Sequence, residues 1–268
     1  MKRFALFLVC LLLTGCGDAK APPVEEAPPA ESPQEESVTP PSEGASADFS
    51  SQLALIAAQA DQWQLKDCPA WQFAVTDLDQ NGRLEVVTTV TQGTGSFTTT
   101  AVWEVSEDLD DLLLCTAEAP DAPAIVPRGD GTETGYLPLP VYQDETENTF
   151  HYITESTAKD SPASYRDSTS ALTLRDGSVS AQLICARNTL YLPGEDPSAE
   201  PEEQISYEDG EGAAITEEAY ASAVEELFAA CTPMEARIGW ALVLPDQAME
   251  GLDAQLSASW DGFSLTAI

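Results

Sequence analysis

The sequence predicts an α+β fold, a mainly antiparallel β-sheet with a helix near each end of the folded part. Two observations support this prediction. From residue 71 onward, apolar side chains alternate at every second position in one short segment after another, which is the period of a half-buried strand. One segment before these strands and one after them repeat apolar side chains every three or four positions, which is the period of an amphipathic helix.

The first expected element is a helix that begins at residue 49, with Ser50 or Ser51 as its N-cap. A meander of three strands follows, because the apolar runs are short and turn-forming residues separate them, including Gly93-Thr94-Gly95. The apolar positions are Phe49, Leu53, Ile56, Ala60 and Trp63 in the helix, and Trp71, Phe73 and Val75, then Leu84, Val86, Thr88 and Val90, then Phe97, Thr99, Ala101, Trp103 and Val105 in the strands.

Five further strands, an acidic loop and a second helix complete the expected fold. Asp176-Gly177 favours a type I′ turn, in which both central residues have positive φ, so the two strands that flank it should pair as a hairpin. The second helix runs from about Thr216, a suitable N-cap, to Cys231. The strands are 112–116, 136–142, 150–155, 171–175 and 178–186, the loop is 193–212, and the buried helix face is Tyr220, Ala223, Val224, Leu227, Phe228 and Cys231.

The first sixteen residues have the layout of a secretory signal. Lys2 and Arg3 precede an apolar run at 4–13, which is too short to cross a hydrocarbon core of about 30 Å as a helix. The closing residues Leu13-Thr14-Gly15-Cys16 resemble the lipobox of bacterial lipoproteins. That resemblance implies cleavage before Cys16, diacylglycerol on its sulfur and anchoring by lipid at the extracytoplasmic face of a cell membrane.

A tether is expected after the lipidated cysteine. Residues 17–48 contain seven prolines and eight acidic residues but almost no large apolar side chain, so they cannot bury enough surface to fold. We therefore divide the chain into a signal peptide (1–15), a lipidated, disordered tether (16–48) and a single β-rich globular domain (49–268).

Acidic residues far outnumber basic ones. The chain has 46 of the former and 11 of the latter, for a formal net charge of −35, and it lacks basic clusters. Such a surface repels nucleic acid and anionic lipid headgroups. Nucleic acid is therefore not an expected partner, and membrane contact is expected through the lipid anchor.

Four cysteines belong to the expected domain. They are Cys68, Cys115, Cys185 and Cys231. Outside the cytoplasm they permit two disulfides, in any of three pairings, or they remain buried free thiols.

The segment Asp77-Leu78-Asp79-Gln80-Asn81-Gly82-Arg83-Leu84-Glu85 is a candidate metal site. Side-chain oxygens stand at loop positions 1, 3, 5 and 9 and glycine at position 6, while the carbonyl at position 7 can add a ligand. Carboxylate, amide and carbonyl oxygens in a flexible loop favour Ca²⁺ over Mg²⁺. The predicted ligands are Asp77, Asp79, Asn81, Arg83 and Glu85.

The same nine residues resemble the calcium loops of FG-GAP and VCBS-type repeats, DxDxDGxxD, which lie between strands. Asn81 replaces the third aspartate and Glu85 the last one. The motif occurs once, so the resemblance implies the loop and not a propeller. An EF-hand is disfavoured because its twelfth position is Thr88 rather than glutamate. The alternative is a plain hairpin turn at Asn81-Gly82 without a metal ion.

No residue pattern selects a catalytic site. His151 is the only histidine, no GxSxG motif is present, and nothing selects a pair of glycosidase carboxylates among the acidic residues. Four tryptophans could form a sugar-binding platform or belong to the core; they are Trp71, Trp103, Trp240 and Trp260.

We therefore predict a non-catalytic, surface-displayed lipoprotein with a calcium-stabilised domain that binds an envelope glycan or protein. The first alternative is an envelope-acting hydrolase on polysaccharide or peptidoglycan. The second is a solute-binding lipoprotein, although such proteins usually have two α/β lobes and the strand–helix alternation of such lobes is not evident here.

Overall fold

Fourteen strands and four helices form the described part of the chain. The computed structural model describes residues 48–66, 68, 70–92, 97–117, 125–128, 136–192, 201–244 and 251–268, with the backbone alone at 91, 92, 97–99 and 160. The predicted signal peptide, Cys16, the tether up to residue 47 and the Gly93-Thr94-Gly95 turn lie outside these residues.

The helices are α1 (Phe49–Ala58), α2 (Ala60–Trp63), α3 (Glu217–Leu227) and α4 (Leu252–Asp261). The strands are β1 (Trp71–Thr76), β2 (Glu85–Gln92), β3 (Phe97–Val105), β4 (Leu112–Leu114), β5 (Thr116–Ala117), β6 (Leu139–Asp144), β7 (Thr149–Ser161), β8 (Ser164–Arg175), β9 (Ser178–Leu192), β10 (Glu202–Asp209), β11 (Ala214–Ile215), β12 (Thr232–Arg237), β13 (Ala241–Val243) and β14 (Ser264–Ala267).

The strands pair into two sheets, which confirms a mostly antiparallel β-architecture with few helices. The five-stranded sheet has the order β13-β1-β2-β3-β4, so β1 to β4 form a meander. The nine-stranded sheet has the order β11-β10-β9-β8-β7-β6-β12-β14, and the short β5 pairs with β9 in parallel. Most neighbours in both sheets are consecutive in the chain, because short connections favour adjacent pairing.

Apolar layers lie between the two sheets and on the outer face of each. On one face of the five-stranded sheet, Phe73 and Val86 pack with α1, α2 and α4. On its other face, Val87 belongs to the layer shared with Tyr152 of the nine-stranded sheet. The far face of the nine-stranded sheet packs against α3 through Val224. The order of layers is therefore helices, sheet, sheet and helix.

The register of β1 to β3 decides which side chains face the other sheet. Val75 lies opposite Val86, and Val86 lies opposite Trp103, so the predicted apolar positions share the helix-covered face. Glu85 and Glu104 also lie opposite each other. Because successive side chains alternate between faces, these two glutamates project from the face that is turned toward the nine-stranded sheet.

The first helical segment is interrupted at Gln59, which separates α1 from α2. Its N-cap is Asp48, rather than Ser50 or Ser51, because the Asp48 carboxylate accepts the backbone N–H of Ser51 at 3.2 Å. A carboxylate at this position also suits the positive end of the helix dipole.

Thr216 caps α3 as predicted, with its hydroxyl accepting the Ala219 N–H at 3.2 Å. The helix ends at Leu227, short of the predicted Cys231. Leu227 is 47% exposed, so its assignment to the buried face was wrong. The packed stripe follows Val224 and Phe228, four residues apart, and Leu227 lies beside it.

The predicted loop at 193–212 is wrong over 202–209, where β10 pairs with β9 along the whole length of β10, while residues 210–212 form a turn as predicted. The first half of β10 is exposed and acidic, so this strand lacks the apolar alternation from which a strand is predicted. β7, β8 and β9 also extend beyond the predicted 150–155, 171–175 and 178–186, because cross-strand pairing orders polar residues that carry no such alternation. β12, β13, α4 and β14 lie after residue 231, where no element was predicted.

The turn between β8 and β9 agrees with its prediction. Asp176 and Gly177 have φ of +50° and +71°, as a type I′ turn requires. Arg175 lies opposite Ser178, so the two strands form the expected antiparallel hairpin.

Of the alternatives predicted for the cysteines and the tryptophans, the structure shows free thiols and packing against the core. Cys68, Cys115, Cys185 and Cys231 are free thiols, and burial raises the pKa of Cys115 to about 12. Trp71 is 6% exposed and packs against Trp63, with ring centroids 6.0 Å apart. The other three candidates for a sugar platform, Trp103, Trp240 and Trp260, are partly buried against the core layers.

Candidate metal site

The predicted metal loop is the connection between β1 and β2. It spans residues 77–84, and Glu85 is the first residue of β2. Gly82 has φ of +83°, a conformation that glycine adopts without strain, as expected for position 6. Gln52 of α1 braces the loop, because its amide donates to the Gly82 carbonyl at 2.9 Å and accepts the Leu84 N–H at 2.7 Å. The helix therefore helps to hold the loop in its path.

Three carboxylates of this loop come together. One oxygen from each of Asp77, Asp79 and Glu85 lies within 4.8 Å of the other two. Asp77 is 7% exposed, Glu85 is 0% exposed, and Asp79 is half-buried. Oxygens on opposite sides of a calcium ion are about 4.8 Å apart, because each Ca–O distance is about 2.4 Å. The buried acidic cluster is therefore spaced to hold a metal ion.

Two oxygens of this cluster are buried without a hydrogen-bond partner in the described part of the chain, namely Asp77 Oδ1 and Glu85 Oε1. The second oxygen of each group is satisfied. Asp77 Oδ2 accepts the Gly82 N–H at 3.3 Å, and Glu85 Oε2 accepts the Leu78 N–H at 2.8 Å and the Thr76 hydroxyl at 2.9 Å. Hydrogen bonds thus orient each carboxylate and leave one oxygen available as a ligand.

Burial opposes the negative charge of all three groups. It raises the pKa of Asp77 to about 6, with repulsion from Asp79 as the next cause. Burial also raises the pKa of Asp79 to about 6, with Glu104 as the next cause. The pKa of Glu85 lies well above its ordinary value, because the group is fully buried beside the two aspartates. A cation among these oxygens would offset the cost of ionising them.

The structure brings together three of the five predicted ligands. Asn81 lies beside them, but its Oδ1, the predicted ligand atom, accepts the Arg83 N–H at 2.7 Å. The guanidinium of Arg83 pairs with Glu104 at 2.7 Å. Coordination by the Asn81 amide oxygen and by the Arg83 carbonyl oxygen stays a prediction.

The loop is neither a two-residue type I′ turn nor an EF-hand, whereas a hairpin connection without a metal ion stays the alternative to the metal site. A two-residue hairpin at Asn81-Gly82 needs positive φ at both residues, and of these two only Gly82 has it; Gln80 is the other residue of the loop with positive φ, at +55°. The EF-hand position 12, Thr88, lies three residues after Glu85 on the same strand and therefore on the opposite face of the sheet.

No protein-family model, curated protein or solved structure matches this chain. Within the described ranges, no helix is long and apolar enough to cross a membrane. The interpretation of the site therefore rests on its own chemistry.

A groove of about 570 Å³ lies on the outer face of the nine-stranded sheet. Its lining is rich in hydroxyl groups and includes His151, whose Nδ1 is 2.9 Å from the Thr173 hydroxyl. Burial lowers the pKa of His151. Arg175 at the groove is already paired with Glu147 at 3.1 Å. His151 thus has the ordinary polar partner that its position in a strand indicates.

Three residues around the metal loop could not be chosen from the loop sequence. Gln52 and Tyr152 reach it from distant parts of the chain, and the Tyr152 hydroxyl donates to the Leu78 carbonyl at 2.7 Å. Glu104 is 4% exposed. The sequence gives one indication of its importance, because this glutamate lies near the end of β3 at a position that faces the protein interior. A charge at such a position needs a partner.

Proposed function

We propose that this chain is a lipid-anchored extracytoplasmic protein whose domain binds one Ca²⁺ ion at Asp77, Asp79 and Glu85. The observation that carries the metal proposal is the pair of buried, unpartnered oxygens, Asp77 Oδ1 and Glu85 Oε1, that belong to one cluster. Buried polar atoms without partners are rare in folded proteins, and an ion is one of the accepted explanations for them.

The donor set supports calcium among the common cations. All three groups are carboxylates, which suit hard cations, and the cluster contains neither the cysteine nor the histidine ligands that are typical of zinc sites. The loop also permits several ligands from one flexible segment, as calcium prefers, with Asn81 or Arg83 oxygens and water completing the coordination. Magnesium demands a stricter octahedron.

The ion would stabilise the contact between the two sheets. Leu78, between two of the ligands, is 1% exposed and packs in the apolar layer shared by both sheets. Its N–H is held by Glu85, and its carbonyl accepts the hydroxyl of Tyr152 from the nine-stranded sheet. An ion that fixes Asp77, Asp79 and Glu85 therefore also fixes the residue that connects the sheets.

A hydrolase is a poorer interpretation of the same carboxylates. Asp77 and Glu85 are close enough to suggest an acid–base pair. Glu85, however, is 0% exposed, so a sugar ring cannot reach it. We therefore retain a non-catalytic role, with an envelope glycan or protein as the proposed partner of the displayed domain.

Calcium titration of the purified full-length protein, after removal of metal with a chelator, tests the proposal. At a free Ca²⁺ concentration 100-fold above Kd, ligand linkage stabilises the fold by about 2.7 kcal/mol. For a domain of this size that is a rise in melting temperature of roughly 5–10 °C. Calorimetry should detect one binding site, and Mg²⁺ at the same concentration should give a smaller shift.

Asp79→Asn is the diagnostic variant, because it removes a ligand charge from a half-buried position. It should abolish most of the calcium-induced shift. Glu107→Gln, which removes one exposed carboxylate from the turn after β3, is the matched control and should respond as the wild type does. Absence of binding heat and of any melting shift in the wild type would overturn the proposed calcium site.

A further inference from the structure

A fourth carboxylate lies beside the cluster without belonging to it. Glu104 of β3 is directly opposite Glu85 of β2 and is 4% exposed. Like charges at directly opposed positions of an antiparallel pair destabilise the sheet. Glu104 also raises the pKa of Asp79, so its charge is felt at the cluster. Something must offset this charge for the strand pairing to hold.

Two side chains of the loop converge on a single oxygen of Glu104. The guanidinium of Arg83 lies 2.7 Å from Oε1, and the amide Nδ2 of Asn81 donates to the same atom at 2.7 Å. The Asn81 amide also donates to Asp79 Oδ2 at 2.9 Å. It therefore bridges Glu104 and Asp79, which is one of the three clustered carboxylates. The two contacts to Glu104, from Arg83 and from Asn81, are part-buried, and the Arg83 side chain is only 25% exposed. They are therefore stronger than contacts between surface residues.

We propose that Arg83, assisted by Asn81, holds Glu104 as an outer carboxylate of the metal site and neutralises its charge, which weakens the attraction of the site for a trivalent cation more than for a divalent one. This inference rests on the proposed metal binding at Asp77, Asp79 and Glu85. Arg83 and Glu104 cancel one another, so the ion meets the charge of three carboxylates only. Arg83 and Glu104 are thus specificity-determining and positioning residues, and the Arg83 guanidinium has a role in addition to the carbonyl ligand predicted from sequence.

The charge dependence of the Coulomb energy makes the proposal measurable. The Coulomb energy between the ion and a nearby fixed charge is proportional to the charge of the ion. When a fixed charge near the site is added or removed, the binding free energy of a trivalent ion therefore changes about 1.5 times as much as that of a divalent ion. The logarithm of the affinity changes in the same ratio. Removing the guanidinium leaves Glu104 as an additional unneutralised carboxylate. A variant that binds Ca²⁺ about tenfold more tightly should therefore bind a trivalent ion about thirtyfold more tightly.

The experiment measures Kd for Ca²⁺ and for Tb³⁺, a trivalent ion of similar radius, in four forms of the full-length protein. Arg83→Gln should tighten Ca²⁺ binding about tenfold and Tb³⁺ binding about thirtyfold. Glu104→Gln, which leaves Arg83 unpaired beside the site, should weaken both in the same proportions. The double variant should return both constants to within about threefold of the wild type, because the two changes oppose each other.

Arg237→Gln is the matched control, since it removes an exposed arginine of β12 that pairs with Glu235 of the same strand at 3.2 Å. It should leave both constants unchanged. The inference is overturned if Arg83→Gln changes both affinities by the same factor, or if Glu104→Gln does not weaken binding while the wild type binds Ca²⁺. Failure of the wild type to bind either ion would instead remove the proposed metal site itself. Circular dichroism of each variant checks that the sheets remain folded.

Discussion

A fully buried glutamate beside two aspartates is costly to ionise unless a cation is present. Glu85 and Asp77 each have one oxygen that accepts hydrogen bonds and one that does not. Hydrogen bonds to the first oxygen favour the charged form, whereas burial opposes it, and burial is the larger effect at both residues. Without an ion, protonation relieves this conflict; with an ion, coordination does.

The stability of the ion-free protein and the additional stabilisation by calcium should therefore respond to pH in opposite directions. In the ion-free protein, the pKa of Asp77 and of Asp79 is raised in the folded state from 3.8 to about 6, so protonation favours folding. Their contribution to stability is present at low pH and is lost as the pH rises from about 4 through about 6. The calcium-induced rise in melting temperature should in contrast be larger at pH 7.5 than at pH 5, because bound calcium requires deprotonated ligands.

Melting curves of the wild type and of Asp77→Asn at both pH values, with a chelator or with excess calcium, check this prediction. The asparagine variant does not titrate at that position, so the pH dependence of its ion-free form should be weaker than that of the wild type. A calcium-induced shift of equal size at pH 5 and pH 7.5 would contradict the prediction.

The sequence predicts the members of the cluster better than it predicts their surroundings. Asp77, Asp79 and Glu85 could be chosen because one loop carries all three at the spacing of a calcium site. Glu104 could not be linked to them, because its proximity depends on the register between β2 and β3. The engagement of the Asn81 oxygen by Arg83 likewise depends on the local turn, which residue types alone do not specify.

At the scale of elements, the metal loop is supported from the helix side and from the sheet side. Gln52 of α1 is 1% exposed and supplies partners to the two backbone groups of the loop that precede β2, the Gly82 carbonyl and the Leu84 N–H. From the other side, the Leu84 carbonyl accepts the Val105 N–H at 2.9 Å. The loop is thus connected to α1, β3 and the nine-stranded sheet.

Gln52→Met should show how much α1 contributes to this support. Methionine preserves the side-chain volume but leaves two loop groups without partners, which should cost roughly 2 kcal/mol of unfolding free energy. That corresponds to a fall in melting temperature of about 5 °C and should be accompanied by weaker calcium binding, because the loop loses a constraint. Denaturant unfolding and calcium calorimetry measure the two effects.

Gln62→Met is the control for this prediction, because Gln62 is an exposed glutamine whose amide contacts Gln59 within the same helical segment. It should alter stability by less than about 0.5 kcal/mol. If Gln52→Met behaved like Gln62→Met in both measurements, the support from α1 would be energetically unimportant.

The elements that the sequence predicts well are those with large apolar side chains at every second position on one face, although both faces of these strands are buried in the structure. β1, β2 and β3 alternate because helices cover one of their faces, and the observed register keeps those positions together. β10 was missed because its exposed first half carries glutamates on both faces, so only its pairing with β9 specifies it. Division into two sheets could not be read from single strands, because each alternating face looks the same whichever partner covers it.

At the scale of the whole molecule, the net charge of −35 and the proposed site favour the same environment. Self-repulsion of so many carboxylates destabilises a compact fold, and bound calcium reduces that repulsion where it is concentrated. Extracellular calcium modules bind with Kd of about 10⁻⁴ to 10⁻³ M, so a site of that class would be occupied only where calcium is abundant. A display position outside the cytoplasm satisfies that condition.

The lipid anchor proposed at Cys16 is tested by removing its sulfur. Cys16→Ser cannot accept diacylglycerol, so the protein should move from the membrane fraction to the soluble fraction or accumulate with its signal peptide uncleaved. Cys10→Ser is the matched control, because Cys10 lies in the segment that cleavage would remove and should leave attachment intact. Labelling with a radioactive fatty acid, combined with phase separation in detergent, measures both outcomes. Since several acyl chains at roughly 0.8 kcal/mol per buried CH₂ hold far more firmly than surface contact by an acidic protein, continued attachment of fully processed Cys16→Ser would contradict the anchor and would require another membrane contact.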